Sequence, residues 1–473
     1  MINTEYQQEL NMVHLSFFHV LGSVITLSVI VFIGVFTGRR VKDAKDFSGG
    51  GHNAGMALVS GTITGTLVGG SSTIGTAQLA FTNGLSAWWF TIGAGVGCLL
   101  LGAIFAKPLR NSKCNTIQQV ITNEYGQKSG IITSALASFG IMINIVAQIL
   151  AANALLSSMF GLSSELSAII SVILMACYVI FGGVLSTGVL GVIKLILIYI
   201  SVILGAVLAY RMSGGFGAIY ASLPADKYFN FLSRGIGIDG GAFLSVVFGV
   251  LSTQTYVQAI LSGKSDNASI KGALISSLLI PPIGIGGILI GMYMRINFPS
   301  IASGQAFPLF IMNNMPPFIG GAILATLLIA LVGTGSGMAL GFGTIITNDI
   351  YKKYINKSAG SREELLVSRV VIIISLAVSA IFTLGNLKSA VLTWGFMSMG
   401  LRAAVLLVPM ITALFFKGKI SSGYAILSSI LGFASFMICE NFLDINIDSL
   451  ISGVIVSALT AIIGSIKSAS HKI

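Results

Sequence analysis

The dominant pattern along this chain is a series of apolar stretches, separated by short segments that hold most of the charged residues. Within each stretch the apolar residues follow one another without alternation, which favours helices over the strands of a membrane barrel. A helix of about 20 apolar residues crosses the hydrocarbon core of a bilayer. The pattern therefore predicts an all-α, polytopic membrane protein.

We predict about thirteen spans, since each crossing needs about 20 residues. The spans cover 14–38, 55–82, 86–106, 130–159, 163–186, 187–211, 240–262, 272–294, 317–349, 367–386, 389–416, 420–439 and 448–466. The longest connections, 212–239 and 295–316, are expected to act as lids or as simple connectors. The whole chain, 1–473, is predicted to form a single membrane domain.

The lysines and arginines between the spans predict the orientation. With the N-terminus placed outside, nineteen of them fall in inner loops and five in outer loops. Because cytoplasmic loops carry an excess of basic residues, this split predicts an outside N-terminus, a cytoplasmic C-terminus and an odd number of spans. The short loops further favour a prokaryotic plasma (inner) membrane.

Composition supports the membrane assignment and excludes other classes. Hydrophobic residues make up 55% of the chain and charged residues only 9%, with a mean hydropathy of +0.94. A soluble domain carries about 25% charged residues, so this chain has too few charges to cover a water-facing surface. The net charge of +11 does not indicate a nucleic-acid partner, because the basic residues lie in short loops between spans.

The sequence offers no chemistry typical of an enzyme. The four cysteines are far apart without a CxxC pair, and the four histidines show no HExxH spacing. Paired acids or a nucleophile with its base are also missing from the apolar spans. We therefore predict neither an enzyme nor a catalytic cofactor.

The second span is unusually rich in glycine and hydroxyl residues, particularly between Gly65 and Ser72. Each glycine weakens a helix by about 1 kcal/mol relative to alanine, so this segment is a candidate helix break. Broken helices inside a bilayer line cavities, where free carbonyls hold ions and polar solutes. The alternative is close helix packing through small residues.

Two other spans carry polar patches that could face this break. The ninth span contains Ala330, Thr334 and Ser336, whose oxygens suit a small cation or simply bond within their own helix. The seventh contains the polar run 252–256, which needs partners or a wet cavity inside lipid. In the fourth span, Asn144 and Gln148 are candidates for bonds between helices. The residues predicted to bind solute are Thr66, Ser71, Ser72, Gln254, Thr255 and Arg402.

Several motifs resemble, in order, those of the sodium:solute symporter family. They are KDFSGGG at 45–51, VGGSSTIGTAQLAFTNGLSAWW at 68–89, Gly182-Gly183, TQTYVQAILSGKSD at 253–266 and GTIITNDIYKKY at 343–354. The resemblance implies a LeuT-like fold of two inverted five-helix repeats and ion-coupled symport by alternating access. The repeats would be 55–211 and 240–416, preceded by an extra helix and inner loop in 1–54 and followed by two helices in 417–473.

The resemblance also implies a sodium site between the first and eighth core helices. Its ligand positions in this chain would be Gly65, Val68, Ala330, Gly333 and Thr334. The chain departs from the family at Gly333, where serine is usual, and at Lys194, which stands where the family has a glutamine. Sodium is thus the implied coupling ion. Protons, or uncoupled transport with Lys194 replacing the cation, are the alternatives.

Lys194 and Arg402 are the two basic residues inside predicted spans, and no acid lies deep enough to pair with them. A charge at the bilayer centre costs ~2.5–3.5 kcal/mol. Lys194 either extends to the inner membrane surface or acts as an ion surrogate. Arg402 either bonds unwound carbonyls or binds a carboxylate of the solute with two parallel hydrogen bonds.

Two other classes remain as alternatives to a transporter of a small polar organic solute. A channel would need a lined pore, but no TVGYG-like filter occurs in the sequence. A sensor that does not transport would use the same fold as an input module. Solute identity and oligomeric state are not readable from the residues.

Overall fold

The computed structural model describes residues 15–38, 53–443 and 446–470, without the side chains of 31, 33–38, 179–190 and 469–470. The motif at 45–51 lies outside the described residues, as do positions 39–52 of the first predicted inner loop, 39–54. Within them the chain is built from helices, which confirms the predicted all-α class.

The described part of the first half of the chain holds eight helices and three short helical turns of other pitch. The helices are α1 (Phe17–Gly38), α2 (Met56–Leu67), α3 (Thr76–Asn83), α4 (Trp89–Leu100), α5 (Ala106–Asn111), α6 (Ile117–Tyr125), α7 (Gln127–Phe160) and α8 (Ser164–Met212). The turns are π-helical at Ser71–Gly75 and Leu101–Phe105, and 3₁₀ at Gly84–Trp88.

The second half follows with twelve described helices. They are α9 (Phe216–Ser222), α10 (Ala225–Tyr228), α11 (Ile236–Leu251), α12 (Gln254–Ser262), α13 (Asp266–Leu279), α14 (Pro281–Asn297), α15 (Ala306–Asn314), α16 (Pro317–Ile345), α17 (Ser361–Leu384), α18 (Val391–Phe415), α19 (Ser422–Phe442) and α20 (Ser449–Ser470). A π-helical segment, Ile346–Ile355, extends α16.

Within the described residues, nine helical segments are long and apolar enough to cross a membrane. A tenth forms if α11 and α12, which are bent by 43° at the residues between them, count as one span. Three further apolar stretches among the described side chains are shorter: Phe17–Ile30 of α1, Met56–Leu67, which is α2, and Ser164–Tyr178 of α8. The membrane-spanning character is confirmed, whereas the count of about thirteen spans stays a prediction.

One predicted boundary is wrong. The spans placed at 163–186 and 187–211 belong to a single helix, α8, which runs for 49 residues without an end near 186. The sequence around this predicted boundary contains Gly182-Gly183 but no proline. A glycine costs a helix only about 1 kcal/mol, whereas a proline costs about 3, so glycine alone does not impose a stop.

Burial separates the central helices from those at the periphery. In an apolar stretch of 18 residues within α16 and its extension, 83% is buried inside the protein, whereas the corresponding share in α17 is 28%. Helix α16 contacts α7, α8 and α2, so it lies in the centre of the bundle. Helix α17 leaves side chains such as Ile374 and Ile381 exposed, as expected for a surface covered by lipid.

Candidate ion and solute site

The second predicted span is broken, as the sequence indicates. Helix α2 ends at Leu67, Val68 is extended with φ −82° and ψ 94°, and the next helical turn begins at Ser71. The freed backbone amide of Gly70 donates to Oε1 of Gln148 over 2.8 Å. Gln148 of α7 therefore satisfies one of the polar groups that the break exposes in a dry environment.

Glycines of α2 just before the break pack closely against α8. Close helix packing through small residues, the alternative to a cavity, therefore applies at this contact. A Cβ atom placed on Gly65 would lie 2.6 Å from Cα of Gly191. One on Gly191 would lie 2.2 Å from the carbonyl oxygen of Gly61. This close approach brings Lys194, one turn further along α8, next to the end of α2.

The amine of Lys194 lies among three oxygens that belong to the two facing helices. It donates to the carbonyl oxygen of Gly65 over 2.5 Å, to that of Ala330 over 2.9 Å and to Oγ1 of Thr334 over 2.9 Å. Only 4% of Lys194 is exposed. The side chain thus turns into the protein, and the alternative in which it extends to the membrane surface is wrong.

The other two predicted ion positions adjoin this site. Oγ1 of Thr334 donates to the carbonyl oxygen of Val68 over 3.4 Å. A Cβ atom on Gly333 would lie 3.9 Å from Nζ of Lys194 and 3.5 Å from the hydroxyl of Tyr178. Three of the five predicted positions therefore bond the lysine amine, and Val68 and Gly333 lie next to them.

Three of the predicted solute-binding side chains bond within the protein. Thr66 Oγ1 donates to the Thr62 carbonyl over 2.7 Å, and Ser72 Oγ donates to the Gly69 carbonyl over 3.0 Å. Gln254 accepts from the backbone amide of Ile117 over 3.0 Å and donates to the carbonyl of Asn115 over 3.1 Å. Gln254 thus ties the start of α12 to the start of α6.

Two other predicted solute residues are buried with unused hydroxyls. Neither Ser71 Oγ nor Thr255 Oγ1 has a hydrogen-bond partner within the described part of the chain. Ser71 faces α18, since a Cβ atom on Gly395 would lie 3.0 Å from its hydroxyl oxygen. A buried polar group without a partner costs about 1–3 kcal/mol, so these hydroxyls are available to a polar solute.

Arg402, the last predicted solute residue, is 1% exposed. Its Nε donates to the Ser398 carbonyl over 3.0 Å and its Nη2 to Ser398 Oγ over 3.1 Å. The bent pair α11–α12 lies beside it, because Thr253 at the bend contacts Met399 of α18, with 4.0 Å between Oγ1 and Sδ. Arg402 and the second helix break therefore share one region.

A cluster that the sequence did not reveal joins two segments, α6 and the π-helical extension of α16, at the predicted inner face. Asp349, 2% exposed, accepts from Thr116 Oγ1 over 3.0 Å and from Gln119 Nε2 over 3.3 Å. Lys353 pairs with the same carboxylate at 3.4 Å. No local pattern predicts this contact, because Thr116 and Asp349 are 233 residues apart.

A second contact set at this face surrounds Arg110. Its Nε pairs with Asp266 at 2.6 Å and its Nη1 donates to the Gly263 carbonyl over 2.6 Å. The backbone of Gly263 also forms an isolated parallel bridge with that of Ala54, just before α2. Both broken helices are thereby linked at the same end of the bundle.

Comparison with known proteins gives a consistent family. The model of the Sodium:solute symporter family matches residues 47–432. High-affinity choline transporter 1 of Caenorhabditis elegans is 24% identical over 397 residues, which cover 77% of this chain and 67% of the relative. High affinity choline transporter 1 of Homo sapiens is 23% identical over 434 residues, which cover 86% and 74%.

Solved structures give the fold. A Na⁺-coupled sialic acid symporter in a substrate-bound, outward-open state is similar at a TM-score of 0.81 and 20% identity, covering 96% of this chain and 98% of that one. MHP1, a nucleobase-cation-symport-1 family transporter in a closed conformation, gives 0.59 and 12%, covering 91% and 96%. These similarities show the LeuT-like fold that the sequence predicted.

Proposed function

Because this chain belongs to the sodium:solute symporter family, we propose that it carries a small polar organic solute across the membrane by alternating access, coupled to an ion. Its relatives are transporters and not enzymes. The observation that supports the proposal most directly is the interruption of α2 at Val68, with oxygens of α16 beside it. A cation bound at this place contacts both α2 and α16. Ion binding can therefore shift the equilibrium between different arrangements of these two helices.

The geometry favours a proton on Lys194 as the coupling ion. Its ammonium uses the oxygens of Gly65, Ala330 and Thr334 that a sodium ion would need. Two cations do not share one small oxygen cage, because they repel each other strongly in a dry site. A lysine amine binds and releases one proton, so its charged and neutral forms correspond to a loaded and an empty cation site.

Coupling then follows from where the amine lies. The charged amine bridges α2, through Gly65, to α16, through Ala330 and Thr334. Charge-assisted hydrogen bonds of this kind are worth about 1.5–3 kcal/mol each. Loss of the proton weakens the bridge and frees the broken helix to move against α16, so proton release and solute release occur together.

Sodium is the second candidate, and the family favours it. The two ions are separated by uptake into proteoliposomes, with labelled glucose, proline, pyruvate and choline as one panel. An inward proton gradient and an inward sodium gradient are imposed separately, at equal membrane potential. We expect accumulation with the proton gradient, no further accumulation with sodium, and loss of the proton-driven uptake in Lys194→Met but not in Lys388→Met.

Other results would change the proposal in defined ways. Accumulation driven by sodium alone, unchanged in Lys194→Met, would identify sodium as the coupling ion at another site. No accumulation of any panel member under either gradient would contradict the transport proposal. Lys388 is the matched control because it is an exposed lysine outside the site.

We also propose that the protein lies in the plasma (inner) membrane with its N-terminus outside and its C-terminus in the cytoplasm. The distribution of lysine and arginine over the loops supports this orientation. A green fluorescent protein fused to the C-terminus should fluoresce, and alkaline phosphatase fused there should be inactive. The opposite pair of results would reverse the orientation.

A further inference from the structure

Arg402 is a buried arginine with few strong hydrogen-bond acceptors around its guanidinium. Among the described residues, no carboxylate forms an ion pair with it. A guanidinium has five N–H donors. The oxygen atoms that it meets come from one residue of its own helix, Ser398.

The outer edge of the guanidinium faces sulfur atoms. Nη1 lies 4.0 Å from Sδ of Met338, and Nη2 lies 3.3 Å from Sδ of Met399. Thioether sulfur is a weak acceptor, and methionine side chains are flexible enough to be displaced. Among the described residues, Nη1 therefore has no oxygen acceptor, and Nη2, which carries two N–H groups, has only Ser398 Oγ.

An unused phenol lies on the facing helix. Tyr256 of α12 is fully buried, and its hydroxyl has no hydrogen-bond partner within the ranges that the structure covers. Thr253, three residues before Tyr256, contacts Met399, three residues before Arg402, with 4.0 Å between Oγ1 and Sδ. The phenol and the guanidinium are thus presented by two different helices, each one turn beyond the contact that joins the bend at Thr253 to α18.

We propose that Arg402, with Tyr256, binds a carboxylate of the transported solute. A carboxylate accepts two parallel hydrogen bonds from the forked edge of an arginine, and burial strengthens each of them. The same region would repel a quaternary ammonium, so this chain would not carry the cation named for its choline-transporting relatives. This inference rests on the proposed transport function.

The position of Arg402 supports a role in solute binding over a purely structural role. Its stem packs on α7, where a Cβ atom on Gly140 would lie 2.6 Å from Cγ of Arg402. Ser398 Oγ donates to the Gly140 carbonyl over 2.6 Å, which fixes the turn that carries the arginine. The stem is therefore anchored while the charged edge remains without an oxygen partner beyond Ser398.

Thermal unfolding of the purified protein in detergent tests the inference. The probes are potassium acetate, lactate and pyruvate, with acetamide, lactamide, choline chloride and potassium chloride as comparisons at equal ionic strength. We expect at least one carboxylate to raise the unfolding temperature while its amide, choline and chloride do not. This shift should be absent in Arg402→Gln, reduced in Arg402→Lys and Tyr256→Phe, and retained in Lys388→Gln.

Several outcomes would overturn the inference. Stabilisation by chloride equal to that by carboxylates would indicate a halide site, and stabilisation by choline would indicate a cation site. Carboxylate stabilisation that persists in Arg402→Gln, or none from any carboxylate in the wild-type protein, would also reject it. If Arg402→Gln fails to fold, Arg402→Lys and Tyr256→Phe decide the question.

Failure of this inference is distinguishable from failure of the transport proposal. Gradient-driven uptake of a neutral or cationic solute, unaffected by Arg402→Gln, would reject the carboxylate and leave transport standing. Carboxylate stabilisation that depends on Arg402, in a protein that accumulates no panel member under any gradient, would reject transport alone.

Discussion

Nζ of Lys194 lies 2.5 Å from the carbonyl oxygen of Gly65, on the last turn of α2 before the chain unwinds. The same nitrogen reaches α16 at Ala330 and Thr334. A side-chain cation therefore joins the broken helix to the central helix.

Removing the lysine should convert the site to one that responds to sodium. In Lys194→Ala the oxygens of Gly65, Ala330 and Thr334 lose the amine that lies among them, and oxygen cages suit small hard cations. Because a ligand that binds the folded state stabilises it, sodium chloride should raise the unfolding temperature of this variant above its value in potassium chloride. The wild-type protein and Lys388→Ala should show no such difference; a sodium-specific shift of equal size in all three would place the ion elsewhere.

Restoring the serine that is usual in the family at position 333 should strengthen that response. A Cβ atom on Gly333 meets its neighbours only at ordinary contact distances, 3.5 Å to Tyr178 and 3.9 Å to Lys194. The double variant Lys194→Ala, Gly333→Ser should show a larger sodium-dependent shift than Lys194→Ala, because it adds a hydroxyl ligand. For Gly333→Ser alone, the free energy of unfolding should lie within about 0.5 kcal/mol of the wild-type value, because the substitution creates no clash. An equal or smaller shift in the double variant would show that this hydroxyl does not reach the ion.

The close approach of α8 to α2 should tolerate no side chain at Gly191. The added methyl group of Gly191→Ala would lie 2.2 Å from the backbone oxygen of Gly61, which cannot move aside like a flexible side chain. We expect a loss of about 1–3 kcal/mol in the free energy of unfolding, measured in detergent. Gly423→Ala is the matched control on helix α19, because a Cβ atom there meets nothing within 4 Å. Equal stability of both variants would contradict the packing described here.

The carboxylate of Asp349 should hold the predicted inner face closed around α6. Asp349→Asn removes the pairing with Lys353 and one acceptor for Gln119. Cys114, which is buried beside Thr116, should then react faster with a thiol reagent, by about fivefold if about 1 kcal/mol is lost. The measurement uses a protein in which the other three cysteines are replaced.

Glu364→Gln serves as the control for this experiment. It removes a pairing with Lys352 at the same face, in which the lysine is 48% exposed. Exposed pairs contribute little, so the reactivity of Cys114 should not change. A rise of the same size in both variants would indicate general loosening and not a specific contact of Asp349.

The sequence by itself determined those features that depend on local pattern. Apolar length predicted the membrane helices, and the glycine cluster around Gly65–Gly70 predicted the break that the structure shows at Val68. Both follow from short-range physics, because helix propensity and the cost of burying polar groups act within one or two turns. The ordered motifs, although most lie far apart, also identified the family that the model at 47–432 matches.

Only the tertiary structure decided where the polar side chains point. Lys194 is 129 residues from Gly65 and 136 from Ala330, so its position in the oxygen cage depends on how α8 packs against α2 and α16. The same holds for Gln254, which bonds to the start of α6, and for Nη1 of Arg402, which faces the sulfur of Met338. Local pattern fixes which groups are buried, but the choice of partner is made by helix packing between distant parts of the chain.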